Sequence, residues 1–113
     1  MVKIEAIIRQ NMLEAVKVEL AKIGFTGMTV WEVRGLGRQK GCTRSYRHTR
    51  YEVDFLPKVK LELVVADEYA EAVVTMISDA ANTGDIGDGK IFISPITECM
   101  RIRTKETGKH AIL

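Results

Sequence analysis

The chain has 113 residues, 46% of them hydrophobic and 28% charged, with a formal net charge of +2. That length holds one domain with a real core and leaves no room for two. So small a net charge implies neither a nucleic-acid nor a membrane-surface partner, and the positive charge is local instead. Cys42 and Cys99 are far apart and make no CxxC pair, which gives no sign of a zinc site or a disulfide framework. No apolar run approaches the roughly 18 residues of a membrane span, and Lys3 with Glu5 breaks any signal-peptide core. A reducing cytoplasm is the expected compartment.

Val2 to Ile8 alternates apolar Val2, Ile4, Ala6 and Ile8 with Lys3 and Glu5, which predicts a half-buried strand. Asn11, with Glu14 three residues later, reads as a capping box opening a helix. Leu13, Val16, Leu20 and Ile23 form its apolar stripe, and Gly24 ends it. Met28 to Val33 and Val59 to Val65 read as strands, the second with Val59, Leu61, Leu63 and Val65 on alternate positions. Asp67 is placed to cap a second helix with the stripe Ala70, Val73, Ile77 and Ala81, terminated by Asn82, Thr83 and Gly84. Lys90 to Ile96 predicts a last strand, with Pro95 near its end. The order is strand, helix, strand, strand, helix, strand: an α+β, ferredoxin-like βαββαβ arrangement with an antiparallel sheet. Both helices would cover one sheet face, leaving the other bare and partly apolar, so oligomerisation is expected. The fold alone gives no function.

Three stretches stand apart from that framework. The connection from Gly35 to Lys60 is several times the usual length of about 2–6 residues. It opens with Gly35, Gly37 and Gly41 and carries Arg38, Lys40, Arg44, Arg47, His48 and Arg50. The second is Thr83-Gly84-Asp85-Ile86-Gly87-Asp88-Gly89-Lys90, where glycines let backbone amides approach an anion and Lys90 adds a point charge. It is not a Walker loop, because GxxxxGK[ST] is missing and the lysine starts a strand. The third is Arg101-Ile102-Arg103, whose guanidinium groups would lie on one side of an extended segment. Each alone is weak; together they suit a polyphosphate. No Ser/His/Asp set or facing pair of carboxylates is visible, so a binding and switching module is the better reading, not an enzyme.

These residues also carry a resemblance that covers nearly the whole chain. KIEAII (Lys3 to Ile8), GMTV (Gly27 to Val30), GRQKG (Gly37 to Gly41), VDFLPKVK (Val53 to Lys60), IGDGKIF (Ile86 to Phe92) and RIRTKETG (Arg101 to Gly108) resemble the PII signal-transduction proteins of the GlnB/GlnK type. The resemblance implies one domain over 1–113, with a T-loop at about 37–55, a B-loop at about 82–90 and a C-terminal loop at 101–113. It also implies a homotrimer whose clefts between subunits bind ATP or ADP competitively. Ile7, Met28, Thr29, Glu62 and Val64 would serve the adenine and ribose. Gly87, Asp88, Gly89, Lys90, Arg101 and Arg103 would serve the phosphates, with Gly35, Gly37 and Arg38 at the base of the T-loop. In the family 2-oxoglutarate binds beside Mg-ATP. Here Gln39 would ligate the Mg, the stretch Gln39, Lys40 and Gly41 would hold the carboxylates, and Lys58 would pair with the distal one. Arg47 matches the arginine inserted into an ammonium transporter, and Tyr51 the tyrosine modified by a uridylyltransferase in many bacterial members. A cytoplasmic regulator, drawn to the membrane through the transporter, is the implied setting.

The chain departs from the family pattern at several positions. Gln10 replaces a proline, Leu36 a phenylalanine, and Asp85 a frequent lysine or arginine. Trp31 is unusual for its strand, and the loop tip CTRSYRHT departs most from HTELYRGA. A PII variant acting on another nitrogen-metabolism enzyme, with little response to 2-oxoglutarate, is the alternative these changes leave open. An RNA-binding ferredoxin-like domain would need aromatic-rich central strands, and Phe92 alone does not supply them. An acylphosphatase-like enzyme would need an arginine and an asparagine at a strand-to-helix turn, where Arg9 and Asn11 stand.

Overall fold

The computed structural model describes residues 1–35 and 56–112, together with the backbone of 43–46 and 49–52. Strand β1 (Val2–Ile8) buries Ile4, Ala6 and Ile8 and directs Lys3, Glu5 and Ile7 the other way, as the alternation predicts. Helix α1 (Leu13–Lys22) buries Val16 and Leu20, while Ile23 stands just past its end and is 37% exposed. Gly24 ends the helix at φ +91°, its amide donating to the Ala21 carbonyl and that of Phe25 to Leu20. That pair of bonds is the left-handed glycine cap read from the sequence.

The helix starts differ from expectation. Both α1 and α2 (Ala70–Ala81) are entered through a short 3-10 turn, Gln10–Met12 and Asp67–Tyr69, with no side-chain capping bond at either. The turn itself satisfies early amides: Met12 donates to the Arg9 carbonyl and Tyr69 to that of Ala66. Neither Asn11 nor Asp67 therefore caps. Glu14 pairs with Lys17 at 3.0 Å, and Asp67 meets the N-terminal ammonium at 2.9 Å.

β2 (Thr29–Gly35), β5 (Leu56–Val65), β1 and β6 (Lys90–Pro95) form one antiparallel sheet in that order. This is the ferredoxin-like arrangement. Inside the long connection, where the sequence pattern predicts only a loop, lies a separate hairpin of β3 (Thr43–Tyr46) and β4 (Thr49–Glu52). The core lies between the sheet and the helices: Ile4, Ala6 and Ile8 with Val59, Leu61, Leu63 and Val65 meet Val16, Leu20, Val73, Ile77 and Ala81. Burying each large aliphatic there contributes about 1.5–3 kcal/mol before entropy is charged against it.

The opposite sheet face is bare of helices but more charged than expected. Its register sets Trp31 beside Lys60, and Thr29 beside Glu62, which faces Glu5 and then Phe92. Lys3 lies 3.9 Å from both Glu5 and Glu62, Lys60 lies 3.8 Å from Glu5, and the Lys60 ammonium stands 4.9 Å from the Trp31 ring centre. Trp31 (42% exposed) and Phe92 (51%) border this ion-paired centre from the two edge strands.

Candidate functional site

The best-defined site is the turn that carries the chain from α2 to β6. Three glycines make it: Gly84, Gly87 and Gly89 have φ of +86°, +108° and +105°, a region side chains avoid. At Gly89 the requirement is double, since a Cβ there would fall 1.7 Å from the Ile7 carbonyl oxygen. The loop thus lies directly on the end of β1, and Lys90 opens β6 opposite Ile7.

Bonds from outside and within fix its shape. The ammonium of Lys58, a residue only 8% exposed, donates to the Gly87 carbonyl at 2.5 Å. Gly35 makes room for that lysine, because a Cβ there would press on Lys58 Cγ at 3.3 Å. The Arg9 guanidinium donates twice, from Nη2 to the Ile86 carbonyl at 2.9 Å and from Nε to Asp88 Oδ1 at 3.2 Å. Asp88 Oδ2 accepts from the amides of Thr83 (2.8 Å) and Gly84 (3.0 Å), and its Oδ1 from the Thr83 hydroxyl. Those Thr83 bonds, with help from Gly84 and Arg9, hold the Asp88 carboxyl far below the usual carboxylate range.

The residues predicted for the nucleotide, and Lys58 predicted for 2-oxoglutarate, do not all fall together. Gly35, Lys58, Ile7, Gly87, Asp88, Gly89 and Lys90 come together around this loop. Glu62 and Val64 lie on the same open face, farther along β5. Thr29, preceded by Met28, is on edge strand β2, and Lys90 on the other edge strand. Three strand spacings of about 4.8 Å set those edges roughly 14 Å apart. Arg101 and Arg103 follow the far end of β6, which carries the chain about 17 Å along the sheet from Lys90.

The arginine segment is also not extended. Residues 102–104 form a turn: the Arg101 amide donates to the Glu106 carbonyl, and the Lys105 amide to that of Arg101. Lys105 has φ +64°. Arg101 meets Glu106 at 3.1 Å and the His110 carbonyl at 2.9 Å, so alternation does not apply to Arg101 and Arg103. Gly37, Arg38, Gln39, Lys40, Gly41 and Arg47 lie outside the described residues, as does the side chain of Tyr51, a β4 residue.

A mainly apolar recess of about 230 Å³ opens behind the loop, lined by Ile8, Val74, Ile77 and Ala81 with Asp88 and Lys90. It is on the helix side of the sheet, whereas Ile7, Glu62 and Val64 face away from it. Among the described residues no three His, Cys, Asp or Glu side chains group as a metal site, and no helix is long and apolar enough to cross a membrane. Arg9, weighed in the sequence only for an acylphosphatase-like site, has its guanidinium occupied by the loop. The readable sign of that role was its place two residues after Ile7, at the strand end on which a glycine loop must pack.

The model of the family described as Nitrogen regulatory protein P-II matches residues 1–106. The chain belongs to the P-II family. It is 59% identical over 112 residues to a Nitrogen regulatory protein P-II of Rhizobium meliloti (strain 1021), with 99% of this chain and all of the relative aligned. A protein of the same name from Cereibacter sphaeroides is 55% identical over the same shares. Nitrogen regulatory protein P-II 2 of Methanothermobacter thermautotrophicus is 57% identical, with 97% of its length aligned. P-II membership makes this a nitrogen regulatory protein, and the ferredoxin-like sheet is the expected fold.

Proposed function

We propose that this P-II protein senses ATP and ADP, and 2-oxoglutarate with Mg-ATP, in clefts between the subunits of a homotrimer. The carrying observation is the glycine loop pressed on β1, where no side chain fits at Gly89 and Lys90 stands at the strand start. Such a loop favours phosphate through backbone amides and a nearby ammonium. In this reading Gly35, Gly87, Gly89 and Lys90 of one subunit, with Gly37 and Arg38, hold phosphates beside Ile7, Glu62 and Val64. Met28, Thr29, Arg101 and Arg103 come from the neighbour, which suits their distance from Lys90 across and along the sheet.

Mg-ATP would add a ligand site at Gln39, and 2-oxoglutarate would engage Gln39, Lys40, Gly41 and Lys58. The buried Lys58 suits a dicarboxylate, because an ammonium shielded from water pairs strongly with an anion. Since Lys58 also holds Gly87, effector and phosphate loop share one cation. The T-loop, anchored near that cation, would then present Arg47 to an ammonium transporter in the ADP state and withdraw it with Mg-ATP and 2-oxoglutarate. Effectors can shift it only by their differential affinity for its conformers. Tyr51 would be the site for a uridylyltransferase.

Calorimetry with ATP and ADP, each with and without 2-oxoglutarate, tests the sensor. Saturable nucleotide binding, and 2-oxoglutarate binding only alongside Mg-ATP, are expected; no nucleotide binding sinks the proposal. Lys58→Met should abolish 2-oxoglutarate binding and weaken ATP by about two- to tenfold, the loss of one hydrogen bond at Gly87. Co-sedimentation with transporter-containing membranes under ADP tests the target, and Arg47→Ala retained as well as wild type would refute it.

A further inference from the structure

The loop's Ile86 and Gly87 carbonyls are held by groups from elsewhere in the fold, and its Asp88 carboxylate ties the loop's start to its end and to Arg9. Lys58 takes the Gly87 carbonyl, Arg9 takes that of Ile86, and the Asp88 carboxylate gathers Thr83, Gly84 and Arg9. A peptide whose carbonyl is drawn toward the protein must direct the attached amide away from it. This turns the Gly87 amide outward, whereas the Asp88 amide donates to the Asp85 carbonyl at 3.4 Å within the loop. We infer that Arg9 and Asp88 are positioning residues that do not touch the nucleotide: Arg9, holding the Ile86 carbonyl, turns the attached Gly87 amide toward the phosphates, and Asp88, taking the Thr83 and Gly84 amides on its own carboxylate, braces the loop in that shape. This rests on the nucleotide reading above.

Asp88 is acidic, and a carboxylate near a phosphate site would by charge alone weaken anion binding. Its position makes sense only if organising the loop outweighs that repulsion. Arg9 fits the complementary role because a guanidinium presents donors on different nitrogens, which bridge Ile86 and Asp88 at once. An ammonium has one nitrogen and cannot reproduce that span.

Calorimetry with ATP and with ADP, and hydrogen exchange of the nucleotide-free protein, test the inference on wild type, Arg9→Met, Arg9→Lys, Asp88→Asn and the Arg9→Met/Asp88→Asn double variant. Arg9→Met and Asp88→Asn are each expected to weaken both nucleotides about tenfold, since charge-assisted bonds are lost. Arg9→Lys should recover part of that loss. The double variant should fall short of the summed single effects, because both residues act on one loop. Amides of 83–90 should exchange faster in both single variants, while those of β1 and β5 keep their protection. Asp88→Asn binding as tightly as wild type or tighter, or unchanged exchange at 83–90, overturns the inference. If wild type itself binds neither ATP nor ADP, the nucleotide reading fails, and the exchange data still decide whether the pair holds the loop.

Discussion

At the scale of single residues, the phosphate loop depends most on an atom that is missing. A methyl at Gly89 would meet the Ile7 carbonyl oxygen at 1.7 Å, and the φ of +105° adds strain. Gly89→Ala should therefore cost about 1–3 kcal/mol of stability, and calorimetry should show nucleotide binding fall with it. A stable variant with normal binding would mean the loop does not pack on β1. Asp88 sets a pH expectation at the same scale. Its carboxyl is held below the usual range, so the stability it contributes is complete above the ordinary carboxylate value of about 4 and is lost only as pH falls through the lowered one. Protection of amides 83–90, corrected for intrinsic exchange, should be the same at pH 7 and pH 5. A release of the loop in that interval would contradict the bonding described.

At the scale of elements, the apolar patterns were legible and the ends were not. Alternation in β1 and β5 and the stripe Val73, Ile77, Ala81 report burial directly, so Ile4, Leu61 and Ile77 emerge fully buried. Asn11 and Asp67 misled because 3-10 turns supply the bonds that capping side chains would have made. Asn11→Ala should consequently change the unfolding free energy by under about 0.5 kcal/mol, not the roughly 1 kcal/mol of a lost cap, whereas Ile77→Ala should cost about 2–5 kcal/mol. Denaturant unfolding of both variants checks the contrast. The β3–β4 hairpin hid because its strands, TRSY and TRYE, are mostly polar, and the two residues between them include no glycine or asparagine. Arg101 and Arg103 look extended by spacing alone; bonds from Arg101 to Glu106 and His110 bend the chain instead. Arg9 and Asp88 meet across 79 positions, a contact no local pattern encodes. Glycine spacing marked the loop, and only the fold reveals what holds it.

At the scale of the whole molecule, strand order matters more than any one contact. With β2 and β6 at opposite edges, Thr29 and Lys90 of one chain stand about three strand spacings apart. In the proposed trimer each cleft joins the Lys90 edge of one chain to the Arg103 side of the next. Sedimentation should find three chain masses, and a monomer that binds nucleotide at full strength would refute that division. The division also has a consequence for heredity. Two defective gene copies, one encoding Lys90→Ala and the other Arg103→Ala, should partly rescue each other when expressed together. Random assembly around a closed ring of three pairs an intact Lys90 edge with an intact Arg103 side in about a quarter of clefts. Co-expressed variants should thus regain nucleotide binding that neither has alone, and a lesion in one allele would be felt by its healthy neighbour.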